Sequence, residues 1–186
     1  MMHTATRRQA SHPTSSIRHE PASTLIRRHQ RRIFALTQLM MGNLEEAEQV
    51  TQQVLLAVLR AKPRTPELAD GMVNSCLMEA LGVMRHDQLS ARDYFSSIPA
   101  APATEPLDAP PTADEARAAL AAIPAPLRLI YLLNEIYCAE HPHPTERISL
   151  LLGLDPPFCK HLLFRARQLL VAQIGARRAA DEAAAA

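Results

Sequence analysis

Tryptophan is absent from this 186-residue chain, and only 4 Phe and 3 Tyr supply aromatic rings. Strands draw on aromatic and β-branched side chains, so the shortage disfavours a β-sandwich, while plentiful Ala, Leu and Met favour helices. Cysteine is scarce too. Cys76, Cys138 and Cys159 are odd in number and far apart, and read as reduced thiols of a cytoplasmic protein. No apolar run is long enough to span a bilayer, and the polar N-terminus lacks an apolar signal core. Neither a membrane protein nor a secreted one is expected. A Gly-rich phosphate loop, a nucleophile elbow and an obvious carboxylate pair are also missing. The expectation is a binding protein rather than an enzyme, with no cofactor and no metal.

A formal net charge of +1 does not announce a nucleic-acid binder. The charge is uneven, however. Between Met1 and Arg32 stand Arg7, Arg8, Arg18, Arg27, Arg28, Arg31 and Arg32 against the single acid Glu20, a front end that favours phosphate backbones.

Patterning predicts an all-α chain of two small helical domains. Residues 1–22 read as a disordered basic tail. A first helix is expected from near Ser23 to Met41, with Ile26, Ile33, Leu36 and Met40 on one face and Gly42 ending it. Asn43 should cap a second helix, with Glu46 placed for a capping box, a core stripe of Ala47, Val50, Val54 and Val58, and Pro63 as its stop. A third helix should start at Thr65-Pro66 and reach about Arg85 along Val73, Leu77, Leu81 and Met84. Residues 23–95 then make one helical unit. Residues 96–112 hold Pro99, Pro102, Pro106, Pro110 and Pro111, a density that prevents helix and sheet and gives a semi-extended linker. Helices resume over Ala113–Ile123 and Leu127 to about Cys138 in a second unit, residues 113–175. The Ala-rich tail, residues 176–186, is expected to fray.

The most telling stretch is Thr145 to Leu170, which reads as a short helix, a turn at Gly153 and a longer basic helix. Asp155 should cap that helix and Pro156 occupy its first position. This is the layout of a helix-turn-helix, a shape that fits the DNA major groove and ends here with a C-terminal helix of mixed apolar and cationic character. Phe158, Leu162 and Leu169 would face the core; Lys160, His161, Arg165 and Arg167 are its cationic members. His141-Pro142-His143-Pro144 lengthens the preceding loop beside Cys138. A zinc site from Cys138, His141, His143 and Cys159 fits no familiar finger spacing, and a proline-stiffened loop is the better reading.

Together these residues resemble a bacterial RNA polymerase sigma factor of the extracytoplasmic-function class over roughly Thr24 to Ile174. In the C-terminal part the likeness lies in Leu120-Ala121-Ala122-Ile123-Pro124, in Arg128, Tyr131, Leu133 and Glu135, in Glu146-Arg147-Ile148-Ser149, in Gly153, and in Arg165-Ala166-Arg167-Gln168-Leu169. In the N-terminal part, Arg31 to Leu36 and Gly42 to Glu48 are similar to the family's first two helices. Ala47-Glu48-Gln49-Val50-Thr51-Gln52-Gln53-Val54-Leu55 resembles its polymerase-docking motif, Ala-Glu-Asp-x-x-Gln-Glu-x-Phe. The resemblance implies core RNA polymerase, promoter DNA and an anti-sigma factor as partners. It places Glu48, Gln49, Gln52 and Gln53 on polymerase, and the basic helix on DNA.

The chain departs from that pattern in three places. Gln49 and Gln53 stand where the family has acids, which removes charge from any docking contact. The third helix, at Glu67 to Asn74, has no aromatic and is acidic, whereas single-strand capture needs stacking platforms and cations; only Arg85, His86 and Arg92 lie beyond it. The basic helix opens Pro156-Pro157-Phe158-Cys159, which offers almost no donors to base edges. These departures leave a second expectation open: a sigma-like mimic that binds an anti-sigma factor or another regulator without starting transcription.

Overall fold

The computed structural model describes residues 21–82 and 107–185, which are all-helical, with no strand among the described residues. Most of the expected basic tail, the end of the third helix and the proline-rich segment up to residue 106 lie outside them. So do Met84, Arg85, His86 and Arg92.

The elements are α1 (Ala22–Met41), α2 (Leu44–Ala61), α3 (Pro66–Ala80), α4 (Ala113–Ala122), α5 (Ala125–Leu132), a π-helical turn (Leu133–Tyr137), α6 (Pro144–Leu152) and α7 (Pro156–Ala185). Local chemistry sets most of these ends. Gly42 takes a left-handed conformation at φ 70°, and its N–H closes α1 onto the Gln38 carbonyl at 2.8 Å. Asn43 Oδ1 accepts from the backbone N–H of Glu45 at 2.9 Å and of Glu46 at 3.4 Å. Thr65 Oγ1 accepts from Leu68 N–H, with Pro66 at the first helical position of α3. A complete capping box forms at α4, where Thr112 and Glu115 satisfy each other's backbone N–H groups.

Three boundaries differ from expectation. α3 stops at Ala80 rather than near Arg85, because Leu81 and a left-handed Gly82 (φ 72°) fold back onto the Leu77 and Glu79 carbonyls. The helix expected from Leu127 to Cys138 widens after Leu132 into the π turn, where Cys138 N–H reaches the Leu133 carbonyl at 2.7 Å. The third is at the C-terminal end, where the Ala-rich stretch is part of α7, which continues to Ala185. Alanine is the best helix former, and Arg178 anchors this stretch to Glu115 and to the Ala109 and Pro110 carbonyls.

The buried faces also shift in phase. On α1 the buried residues are Leu25, His29, Ile33, Leu36 and Thr37, with Ile26 and Met40 only half-buried. On α2, Thr51 and Leu55 replace Val50; on α3, Ala69, Asn74 and Met78 join Val73 and Leu77 while Leu81 is half-buried. α1 is the shared element. It packs on α2 and α3, and also on α4, α5 and the π turn. One contiguous apolar cluster therefore holds Ile33, Leu36, Val58 and Leu77 together with Leu127, Leu129, Ile130 and Leu162. Arg128 strengthens this junction by donating to the Met40 carbonyl at the end of α1 and to Ala121 and Ile123, acceptors left open where α4 ends. No helix among the described residues is long and apolar enough to cross a membrane.

Candidate functional site

α2 exposes one continuous strip. Ala47, Thr51, Val54, Leu55 and Val58 turn inward, and this places Glu48, Gln49, Gln52 and Gln53 outward. The strip ends at Leu56, a large apolar side chain that is 49% exposed. Four polar side chains beside an exposed leucine suit a protein partner more than a small ligand, because none of them is enclosed. All four residues assigned to polymerase are thus on one accessible face.

The second assembly is α6, its turn and the start of α7. Gly153 is left-handed at φ 64°, and its N–H bonds the Ser149 carbonyl; Leu154 N–H bonds the same carbonyl at 3.0 Å while its side chain is buried. Asp155 Oδ1 then accepts from Phe158 N–H at 2.9 Å, and Pro156 opens α7. Ile148, Ser149 and Leu152 of α6 and Cys159, Leu162, Leu163 and Ala166 of α7 are buried. That inward stripe fixes what α7 shows to solvent.

The four cationic candidates on α7 do not act as one set. Lys160 and Arg167 share the solvent side with Phe164, which is 59% exposed. His161 is exposed about a quarter-turn round the helix. Arg165 is half-buried toward the core side. Arg167 also pairs with Glu135 of the π turn at 3.0 Å, an exposed ion pair that a stronger anion would displace at little cost. Between Lys160 and Arg167, then, the outward side chain is aromatic. Leu150 on α6 is more exposed still.

Sequence reasoning missed a polar crevice of about 510 Å³ at the meeting of α1, α3, the π turn and the loop before α6. Its lining includes His29, Arg32, Asp70, Asn74, Tyr137 and Arg147. Asp70 Oδ1 accepts from Arg28 at 2.7 Å and lies 3.0 Å from His29 Nε2; Arg32 pairs with Glu140; Tyr137 donates its hydroxyl to Asn74. The doubling of arginines at 27–28 and 31–32 was the available signal, since a helix turns the second member of each pair toward its neighbours. The same crevice borders Cys138. Burial pushes the Cys138 thiol up to about 11, against the pull of Arg147 and Arg32, which disfavours its thiolate near neutral pH. His141 Nδ1 accepts from His143 N–H at 3.1 Å, and among the described residues no three His, Cys, Asp or Glu side chains gather to hold a metal.

The chain matches no family model, no curated protein and no solved structure.

Proposed function

We propose that this chain is a sigma-factor-like regulator of transcription initiation. In this reading residues 23–95 dock on core RNA polymerase through Glu48, Gln49, Gln52 and Gln53. Residues 113–175 carry a helix-turn-helix that brings Lys160, with Arg167 beside it, to promoter DNA. The observation that supports it most is the left-handed Gly153 and capping Asp155 between two helices, with the cationic side of the second helix turned to solvent. The α2 strip is exposed in the same structure, so both proposed partners have access at once.

One observation favours a second reading, a sigma-like mimic that binds an anti-sigma factor or other regulator. The base-facing start of α7 offers Pro156, Pro157 and Phe158, and its outward centre offers Phe164; none of these donates a hydrogen bond to a base edge. The deciding experiment mixes the purified chain with core RNA polymerase and maps transcription starts on genomic fragments. Binding with new start sites supports the regulator. Binding without initiation, or no binding, overturns it and leaves the mimic.

A further inference from the structure

Two of the four α1 arginines are committed and two are not. Arg28 pairs with Asp70 and reaches the Pro66 carbonyl; Arg32 pairs with Glu140. Arg27 and Arg31 sit about 100° round the helix from that pair, and both are exposed. They are one helical turn apart, about 6 Å along the axis. They flank Gln30 and the half-buried ring of Phe34 along a shallow groove.

The end of α2 adds to the same region. Thr37 on α1 meets Ala47 and Thr51 on α2, so the two helices run antiparallel and the start of α1 lies level with the end of α2. There Arg60, Lys62 and Arg64 are all exposed. Among the described residues none of these five cations makes an ion pair. Neither α1 nor residues 54–66 contain an acid. Among the described residues, α3 carries acids beside this region: Asp70, held by Arg28, and Glu67, whose carboxyl is kept below its ordinary value by backbone and Thr65 hydrogen bonds.

Lys62 supplies an independent sign. It ends α2 in the left-handed region at φ 48°, and is the sole non-glycine residue with positive φ among those described. Glycine is the default there, and a lysine keeps the strain while presenting a charge.

We propose that this end of the α1–α2 pair is a binding surface for the phosphate backbone of a nucleic acid, indifferent to base sequence. It is separate from α7 and does not depend on polymerase. Five cations without an ion pair among the described residues, three on α1 and α2 and two in the short connection to α3, suit a polyanion, and each phosphate neutralised releases counterions. An anionic membrane is the less apt partner, because the apolar groups beside these cations among the described residues are single side chains, the half-buried Phe34 and the exposed Leu56, rather than a band to enter lipid.

The test measures binding of the full chain, without polymerase, to labelled random-sequence duplex DNA, single-stranded DNA and RNA over a range of salt. R27A/R31A is expected to weaken binding about tenfold or more near 0.1 M salt, and to lower the slope of log affinity against log salt by about two. K62G removes backbone strain, so the fold is kept, and should lower the slope by about one. K160A/R167A serves as the comparison on the other face. Unchanged affinity and slope in both R27A/R31A and K62G overturns the proposal. So does arginine-dependent binding to phosphatidylserine vesicles with no binding to any of the three nucleic acids. Neither result touches the polymerase reading, which is scored by start-site mapping.

Discussion

Tyr137 donates its hydroxyl to Asn74 Oδ1 across 63 positions of chain, joining the π turn to α3. Asn74 is buried and Tyr137 half-buried, so the bond lies in the seam where the N-terminal and C-terminal helices meet. Tyr137→Phe would leave the Asn74 oxygen without this donor. The expected cost is about 1–3 kcal/mol, read as a lower urea midpoint with unchanged helix content.

The same seam predicts an alkaline limit. Burial pushes both the Cys138 thiol and the Tyr137 hydroxyl above their ordinary values, the thiol from 9.0 to about 11. The folded state then holds these protons more tightly than the unfolded state. Their stabilising contribution is complete below pH about 9 and is lost as pH rises through the folded values. Urea midpoints should be level from pH 7 to 9 and fall beyond it, by on the order of 2 kcal/mol from Cys138 alone. Cys138→Ala should shift the onset of the fall upward; an unshifted onset would contradict the assignment.

Because one apolar cluster runs through both halves, they should unfold together. Leu77 in α3 and Leu129 in α5 are each 0% exposed. Truncating either to Ala should cost about 2–5 kcal/mol. Each variant should move the transition seen by probes in both halves by the same amount. Two separable transitions would show that the halves fold apart.

On α2, Gln49 and Gln53 are exposed and make no contact that holds the fold. On the proposed docking of α2 to core RNA polymerase, Gln49→Asp with Gln53→Glu should leave thermal stability nearly unchanged while strengthening that binding by about tenfold, since charged hydrogen bonds gain about 1–2 kcal/mol over neutral ones. Glu48→Lys should weaken it. A pull-down titration against core enzyme reads both.

Helix ends were the legible part of this chain because caps are local: Gly42, Asn43, Thr65, Gly153 and Asp155 each act within a few residues of themselves. The buried phase of α1 was less legible. Its neighbours on two sides widen the buried arc to include His29 and Thr37, polar residues made tolerable by Asp70 and by the Ile33 and Ala47 carbonyls. The π turn had no signature in residue order, as its extra residue per turn serves packing with α1 and α6. Pairings such as Arg28 with Asp70 and Arg178 with Glu115 join residues 42 and 63 positions apart, so the sequence showed abundant arginine without showing which members were committed. For the same reason the four cations of α7 read as one set, although the helix separates Arg165 from Lys160 and Arg167.

α7 is unbroken for 30 residues, so it behaves as a single shaft of about 45 Å. Near its far end Arg178 is keyed to Glu115, whose carboxyl is held down to about 2 chiefly by that bond. Its near end presents Lys160. Rotational phase is conserved along a continuous helix, and the buried stripe of Cys159, Leu162, Leu163 and Ala166 sets it, so the bearing of Lys160 and the pairing of Arg178 are locked together. One residue added between Ala166 and Arg178 would swing the far end by about 100° relative to that stripe and part Arg178 from Glu115. The cationic side at Lys160 and the seat of Ala109, Pro110 and Glu115 are two readings of one rotation.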